Sequence, residues 1–110
     1  MTQDLGIQFH GADEQSGDVF VVETRASADM ILQSHKHDHG HLSVLVSGRA
    51  EVTINGKAEI MTGYSMVVIP PNTIHEVRAI TDIIWLCLWS NSVAPKDQAH
   101  DSLKLVGNYR

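Results

Sequence analysis

Asn55-Gly56 stands between two runs of alternating polarity, residues 49–54 and 57–61. Both central positions of a type I′ turn need a positive φ, which Asn and Gly tolerate. The dipeptide therefore predicts a tight antiparallel hairpin. The same grammar runs through the rest of the chain. Residues 19–25 are rich in β-branched side chains, and residues 30–33 make a shorter run. Residues 42–47 end at Gly48, residues 64–69 stop at Pro70-Pro71-Asn72, and residues 75–79 and 83–89 follow. About eight short strands between turn residues, with no helical periodicity before residue 95, read as an all-β sandwich or barrel. A single domain over 1–110 is expected, with a barrel core at 19–90. A polar N-terminal arm at 1–18 carries one short strand near residues 7–9. The tail at 91–110 is open to two readings, since residues 97–105 fit a short helix or an extended surface segment.

The chain has 110 residues, a length that fits one domain. A chain of this size buries only about two-thirds of its unfolded surface, so pairing of two copies is a natural way to add buried area. A net charge of −5 without a Lys/Arg stripe argues against nucleic acid as a partner. The single cysteine, Cys87, excludes an intrachain disulfide framework and reads as a small core residue within the apolar run 83–89. Residues 1–10 lack the basic and apolar regions of a secretion signal, and no apolar run approaches the ~18 residues of a spanning helix. A cytoplasmic protein without membrane association is the expectation.

Function is signalled by histidine. His35, His37, His39 and His41 occupy every second position, and His75 follows after 33 intervening residues. Alternate residues of an extended strand point to one side, roughly 6.6 Å apart, and imidazole is the commonest protein ligand for divalent transition metals. A distant ligand such as His75 would tie metal binding to the folded state. A solvated histidine-rich loop would need neither His75 nor the flanking strands. A metal-free buried cluster would repel on protonation. The spacing fails the His-x-His-x-Asp-His pattern of metallo-β-lactamases, and the cysteine pairs of a zinc finger are missing.

The stretch 35–48, with its paired histidines, apolar strand and closing Gly48, resembles the first motif of the cupins. Gly63 followed by Ile69-Pro70-Pro71-Asn72-Thr73-Ile74-His75 resembles the second. Asn72 stands where glycine is usual, and Asn tolerates the left-handed backbone better than most residues. The Gly63 to Pro70 spacing is one residue longer than common, and Ala79 replaces the usual asparagine. The motifs cover 35–79, and the strand pattern extends the match to about 20–90. The resemblance implies a cupin double-stranded β-helix, a jelly-roll-like barrel, with metal ligands at His35, His37, His41 and His75. Most cupins carry a carboxylate or amide at the position of His41. The histidine there is similar to small single-domain cupins with four-histidine sites, some of which hold manganese.

One divalent transition metal per chain is therefore expected, Mn, Fe, Ni, Cu or Zn, with manganese favoured by the resemblance alone. Four neutral imidazoles leave the 2+ charge uncompensated, which favours a small anionic organic molecule in the open positions. A dioxygenase-like oxidoreductase is the first reading. Isomerase or lyase chemistry on a sugar acid, and a non-catalytic small-molecule-binding cupin, are the alternatives. A homodimer is expected. His39 reads as a hydrogen-bonding rim residue, and Gly40 removes a carboxylate often found beside the ligands. His10 and His100 read as solvated, Trp85 and Trp89 as core or as lining of the cavity or dimer contact, Met30, Met61 and Met66 as apolar filler unless they stand at the mouth of the site, and Tyr64 and Arg78 as surface residues or pocket donors.

Overall fold

The computed structural model describes residues 6–11, 13–34, 40–90 and 103–107. They form ten strands: β1 (Gly6–Gly11), β2 (Val19–Ala26), β3 (Met30–Ser34), β4 (His41–Ser47), β5 (Arg49–Ile54), β6 (Lys57–Thr62), β7 (Ser65–Ile69), β8 (His75–Ala79), β9 (Ile83–Ser90) and β10 (Leu103–Gly107). One sheet has the order β1-β2-β9-β4-β7 and the other β10-β3-β8-β5-β6. Every paired neighbour is antiparallel. Consecutive strands alternate between sheets in most of the chain, which is the jelly-roll form of the expected all-β barrel. The described residues contain no α-helix beyond one 3₁₀ turn at Glu14–Ser16. Among them, no helix is long and apolar enough to cross a membrane.

Local chemistry sets the turns. Asn55 and Gly56 both adopt positive φ, 52° and 79°, as the hairpin between β5 and β6 requires. Asn72 takes the left-handed conformation, φ 57°, in the β7–β8 connection. Gly48 joins β4 to β5 at φ 91°, and a Cβ there would overlap the Asp82 carbonyl oxygen.

Alternation then sets the faces. Phe20, Val22 and Ala26 of β2, Val77 and Ala79 of β8, and Ile83, Trp85, Cys87 and Trp89 of β9 all point between the sheets and form one core. The sheets extend beyond residues 19–90. The N-terminal arm holds a six-residue strand rather than a short one, because Ile7 and Phe9 pack on the core and Phe9 stacks on Phe20 with ring centres 6.3 Å apart. Of the two readings of the tail, residues 103–107 take the extended one, as β10 paired with β3.

Candidate metal centre

His41 opens β4 in one sheet and His75 opens β8 in the other. Both point inward, at 8% and 6% exposure. Their rings meet edge to face with centres 5.7 Å apart. With metal–nitrogen bonds near 2.1 Å, two imidazoles sharing one tetrahedral ion stand about 5.3 Å centre to centre, so this pair lies within a few tenths of an ångström of a shared-ion spacing. His35, His37 and His39 lie outside the described residues. Their described flanks, Ser34 at the end of β3 and Gly40 before β4, bracket the same end of the barrel, since β3 is the neighbour of β8. Among the described residues, no group of three or more His, Cys, Asp or Glu side chains is placed to hold a metal.

The chain builds this end from close approaches. A Cβ on Gly40 would lie 2.8 Å from the Ile69 carbonyl oxygen and 3.3 Å from Pro71, so only glycine lets the backbone before His41 pass this close to the β7–β8 connection. That connection is pinned. Thr73 is buried and its hydroxyl donates to the Pro71 carbonyl at 3.0 Å, and the Asn55 amide donates to the Ile74 carbonyl at 3.0 Å. Ile54 pairs with His75 across the β5–β8 ladder. Burial pushes the His75 imidazole below the usual histidine range, partly opposed by a backbone hydrogen bond at Thr73. The ring is thereby kept neutral, the form a metal needs.

Trp89 lies against His41 with ring centres 4.7 Å apart and 25° between planes, and it stacks on Phe20 at 6.1 Å on its other side. This agrees with the core reading of Trp89 and adds that the core supports a candidate ligand. Two residues further along β4, the fully buried Ser43 hydroxyl lies 3.3 Å from His41 Nδ1 and donates to Cys87 Sγ at 3.6 Å. Cys87 is buried as expected, and burial pushes its thiol up. Ser43 escaped the sequence reading. The signal was a lone polar residue spaced two from His41 inside an apolar run.

The remaining candidates fall elsewhere. His10 is exposed and pairs with Glu23 at 3.0 Å. Arg78 bonds Glu51 at 3.2 Å, and Tyr64 is exposed. Met30 and Met61 pack on the core, whereas Met66 is 55% exposed and is not a filler. Strand β7 is apolar on both faces, so its pattern did not reveal which side met the core. His100 lies outside the described residues. A groove of about 280 Å³ lined by Arg25, Ala26, Ser27, Ser47, Asp82 and Ile83 lies at the opposite end of the barrel. Its walls are the end of β4 and the start of β9, away from His41 and Trp89.

Several solved structures share this architecture. A cupin 2 domain-containing protein from Halorhodospira halophila is 20% identical, with a TM-score of 0.70 over 81% of this chain and 68% of that one. An RmlC-like cupin from Shewanella frigidimarina is 22% identical, with a TM-score of 0.64 over 73% and 70%. KdgF from Halomonas sp. is 23% identical, with a TM-score of 0.63 over 80% and 86%. No curated protein matches the chain in sequence. Residues 21–89, more than half of the chain, match the cupin domain family. With strands, motif turns and buried histidines in these places, the chain belongs to the cupin family.

Proposed function

We propose that the chain is a metal-binding cupin that holds one divalent transition metal per chain through His35, His37, His41 and His75. It would act on a small anionic organic molecule as a dioxygenase-like oxidoreductase. The observation that carries this reading is the meeting of His41 and His75, 34 positions apart in sequence, with ring centres 5.7 Å apart in a buried setting. The metal would supply Lewis-acid polarisation and open positions for the organic molecule. The chain's own residues do the rest. Gly40 and the pinned 70–74 connection position the two ligands, and Trp89 and Phe20 wall one side against water. Manganese rests on the family resemblance alone.

Elemental analysis of tag-free protein tests the site. About one Mn, Fe, Ni, Cu or Zn per chain, lost in His75→Ala while the fold survives, is the expected result. No metal in the wild type, even after reconstitution, overturns it. The second reading is a non-catalytic small-molecule-binding cupin, which membership of the cupin domain family supports equally. Oxygen consumption with metal-loaded protein and a panel of small organic acids separates the two.

The expected homodimer has a face that supports it. Leu42 and Val44 of β4, Met66 and Val68 of β7, and Leu86 and Leu88 of β9 are in register on the outer side of one sheet. Outer positions of a monomeric sandwich are ordinarily polar. Here these six positions on three adjacent strands are all apolar, with Val68 63% exposed, the signature of a sheet face that becomes covered. A second copy placing the same face against it would bury both.

A further inference from the structure

We propose that Lys57 receives the second anionic group of the small organic acid, from a position level with His75 on the inner face of the barrel. The inference rests on the proposed metal site and deepens it. The ligand class it names is a short dicarboxylate, with one carboxylate at the metal and the other at the Lys57 ammonium.

Strand register carries the argument. Cross-strand partners point to one face of a sheet. His75 pairs with Ile54, and Ile54 pairs with Lys57. The three residues therefore form one row across β8, β5 and β6. Their face is the inner one, because His75 is buried and Ile54 packs on the core. The next inner row is Val77, Val52 and Glu59, and the one after it is Ala79, Ala50 and Met61. Met61 packs on the core, whereas Lys57 and Glu59 are exposed. Solvent thus reaches the inner face of β6 at the His75 end, and Met61 fills that face further along. With neighbouring strands about 4.8 Å apart, the Lys57 and His75 backbones stand about 10 Å apart. The lysine stem and an ion held on the imidazole both project inward from those positions, which leaves room for a short diacid between them.

Charge favours the same occupant. Among the described residues, Lys57 enters no ion pair. Its neighbour on the inner face of β6, Glu59, lies one row further from the histidines, about 6.6 Å along the strand. The cationic position is therefore the one level with His75. Inward-pointing charges also guard a sheet edge against pairing with another chain, and β6 is an edge strand. Edge protection needs a charge anywhere along the strand, and Glu59 meets that need alone. It does not account for a cation in the row of the buried histidine.

Titration of zinc-reconstituted protein with succinate and with butyrate, at constant ionic strength, tests the assignment without using activity. The two acids differ by one carboxylate. Succinate is expected to bind about 3–10-fold more tightly. Lys57→Met should abolish that preference and leave butyrate affinity and zinc content unchanged, and Lys57→Arg should keep most of it. Lys57→Glu retains a charge at the edge with the opposite sign, and it too should abolish the preference. A wild type without the preference overturns the inference. So does a Lys57→Glu protein that keeps it, which would assign Lys57 to edge protection. Wild-type protein that takes up no zinc or other metal overturns the metal site instead. Side-chain NMR of Lys57 in the metal-free protein then decides its own role: a saturable shift with succinate supports anion binding there, and its absence overturns it.

Discussion

Replacing Trp89 with alanine separates the packing that supports His41 from the chemistry of His41 itself. Trp89 is 3% exposed and lies between the His41 imidazole and the Phe20 ring. Truncating a buried indole typically costs about 3–5 kcal/mol in lost transfer energy and cavity formation. The stacked contact with His41 accounts for about 0.5–1.5 kcal/mol of it. An unfolding entropy of about 2.1 cal/mol/K per residue gives a 110-residue chain roughly 0.23 kcal/mol/K. The cost then corresponds to a melting point lowered by about 13–22 °C. Trp89→Phe keeps an aromatic face toward His41 and should lose only about 1–2 kcal/mol. The assay is urea and thermal unfolding of metal-free protein, with His41→Ala closing a double-mutant cycle. A coupling of about 0.5–1.5 kcal/mol between positions 41 and 89 is expected. If Trp89→Ala lies within about 1 kcal/mol of wild type, or the cycle shows no coupling, Trp89 does not hold His41 and the support argument fails.

Three further outcomes follow from single residues. Burial lowers the proton affinity of His75 in the folded chain. As pH falls through about 6.5 the unfolded chain protonates first. Stability should therefore drop below that pH and level off once the folded ring also protonates, and His75→Gln should flatten this part of the urea-midpoint profile. Val68→Glu, at a position exposed within one chain, should leave monomer stability within about 0.5 kcal/mol yet abolish the dimer in light scattering; a wild type that is monomeric at all concentrations refutes the proposed face. Gly48→Ala meets the Asp82 carbonyl at a positive φ and should cost well over 1 kcal/mol. Gly56→Ala, also at positive φ but facing open space, should cost only about 1 kcal/mol in denaturant unfolding.

What the sequence revealed and what it concealed divide along the range of the forces involved. Asn55-Gly56 and Asn72 were legible because the left-handed backbone they adopt is a local demand that few residues meet. His41 and His75 were legible as motif residues, but their approach depends on two strands from opposite sheets. His35 and His37 lie outside the described residues, so the complete ligand set rests on the proposal. Strand β10 offers no local pattern strong enough to exclude a helix, and its extended form is defined by pairing with β3. Met66 was misplaced because Ser65-Met66-Val67-Val68-Ile69 is apolar on both faces, and periodicity cannot then say which face is inside. Ser43 was missed for a related reason: its meaning depends on standing opposite Cys87, and register is not written in either strand alone.

That register links the two faces of the sheet. Strands β4 and β9 present His41, Ser43, Cys87 and Trp89 inward and Leu42, Val44, Leu86 and Leu88 outward. A slip of one residue in either strand would exchange the sets. With apolar side chains on both faces of β9, hydrophobicity alone barely distinguishes the two arrangements. The Ser43–Cys87 pair does. A buried hydroxyl without a partner costs about 1–3 kcal/mol, and in the observed register Ser43 stands opposite the sulfur that accepts its proton. This cross-strand contact therefore specifies which side of the sheet carries the candidate centre and which carries the apolar face. Among the described residues, the groove at the other end of the barrel has no comparable device: Asp82 there accepts from the Ala28 amide at 3.0 Å and serves the turn. Among the described residues, four of the five buried polar side chains, His41, Ser43, Thr73 and His75, lie at the end of the barrel where the two histidines meet, and the fifth is Thr24 of β2.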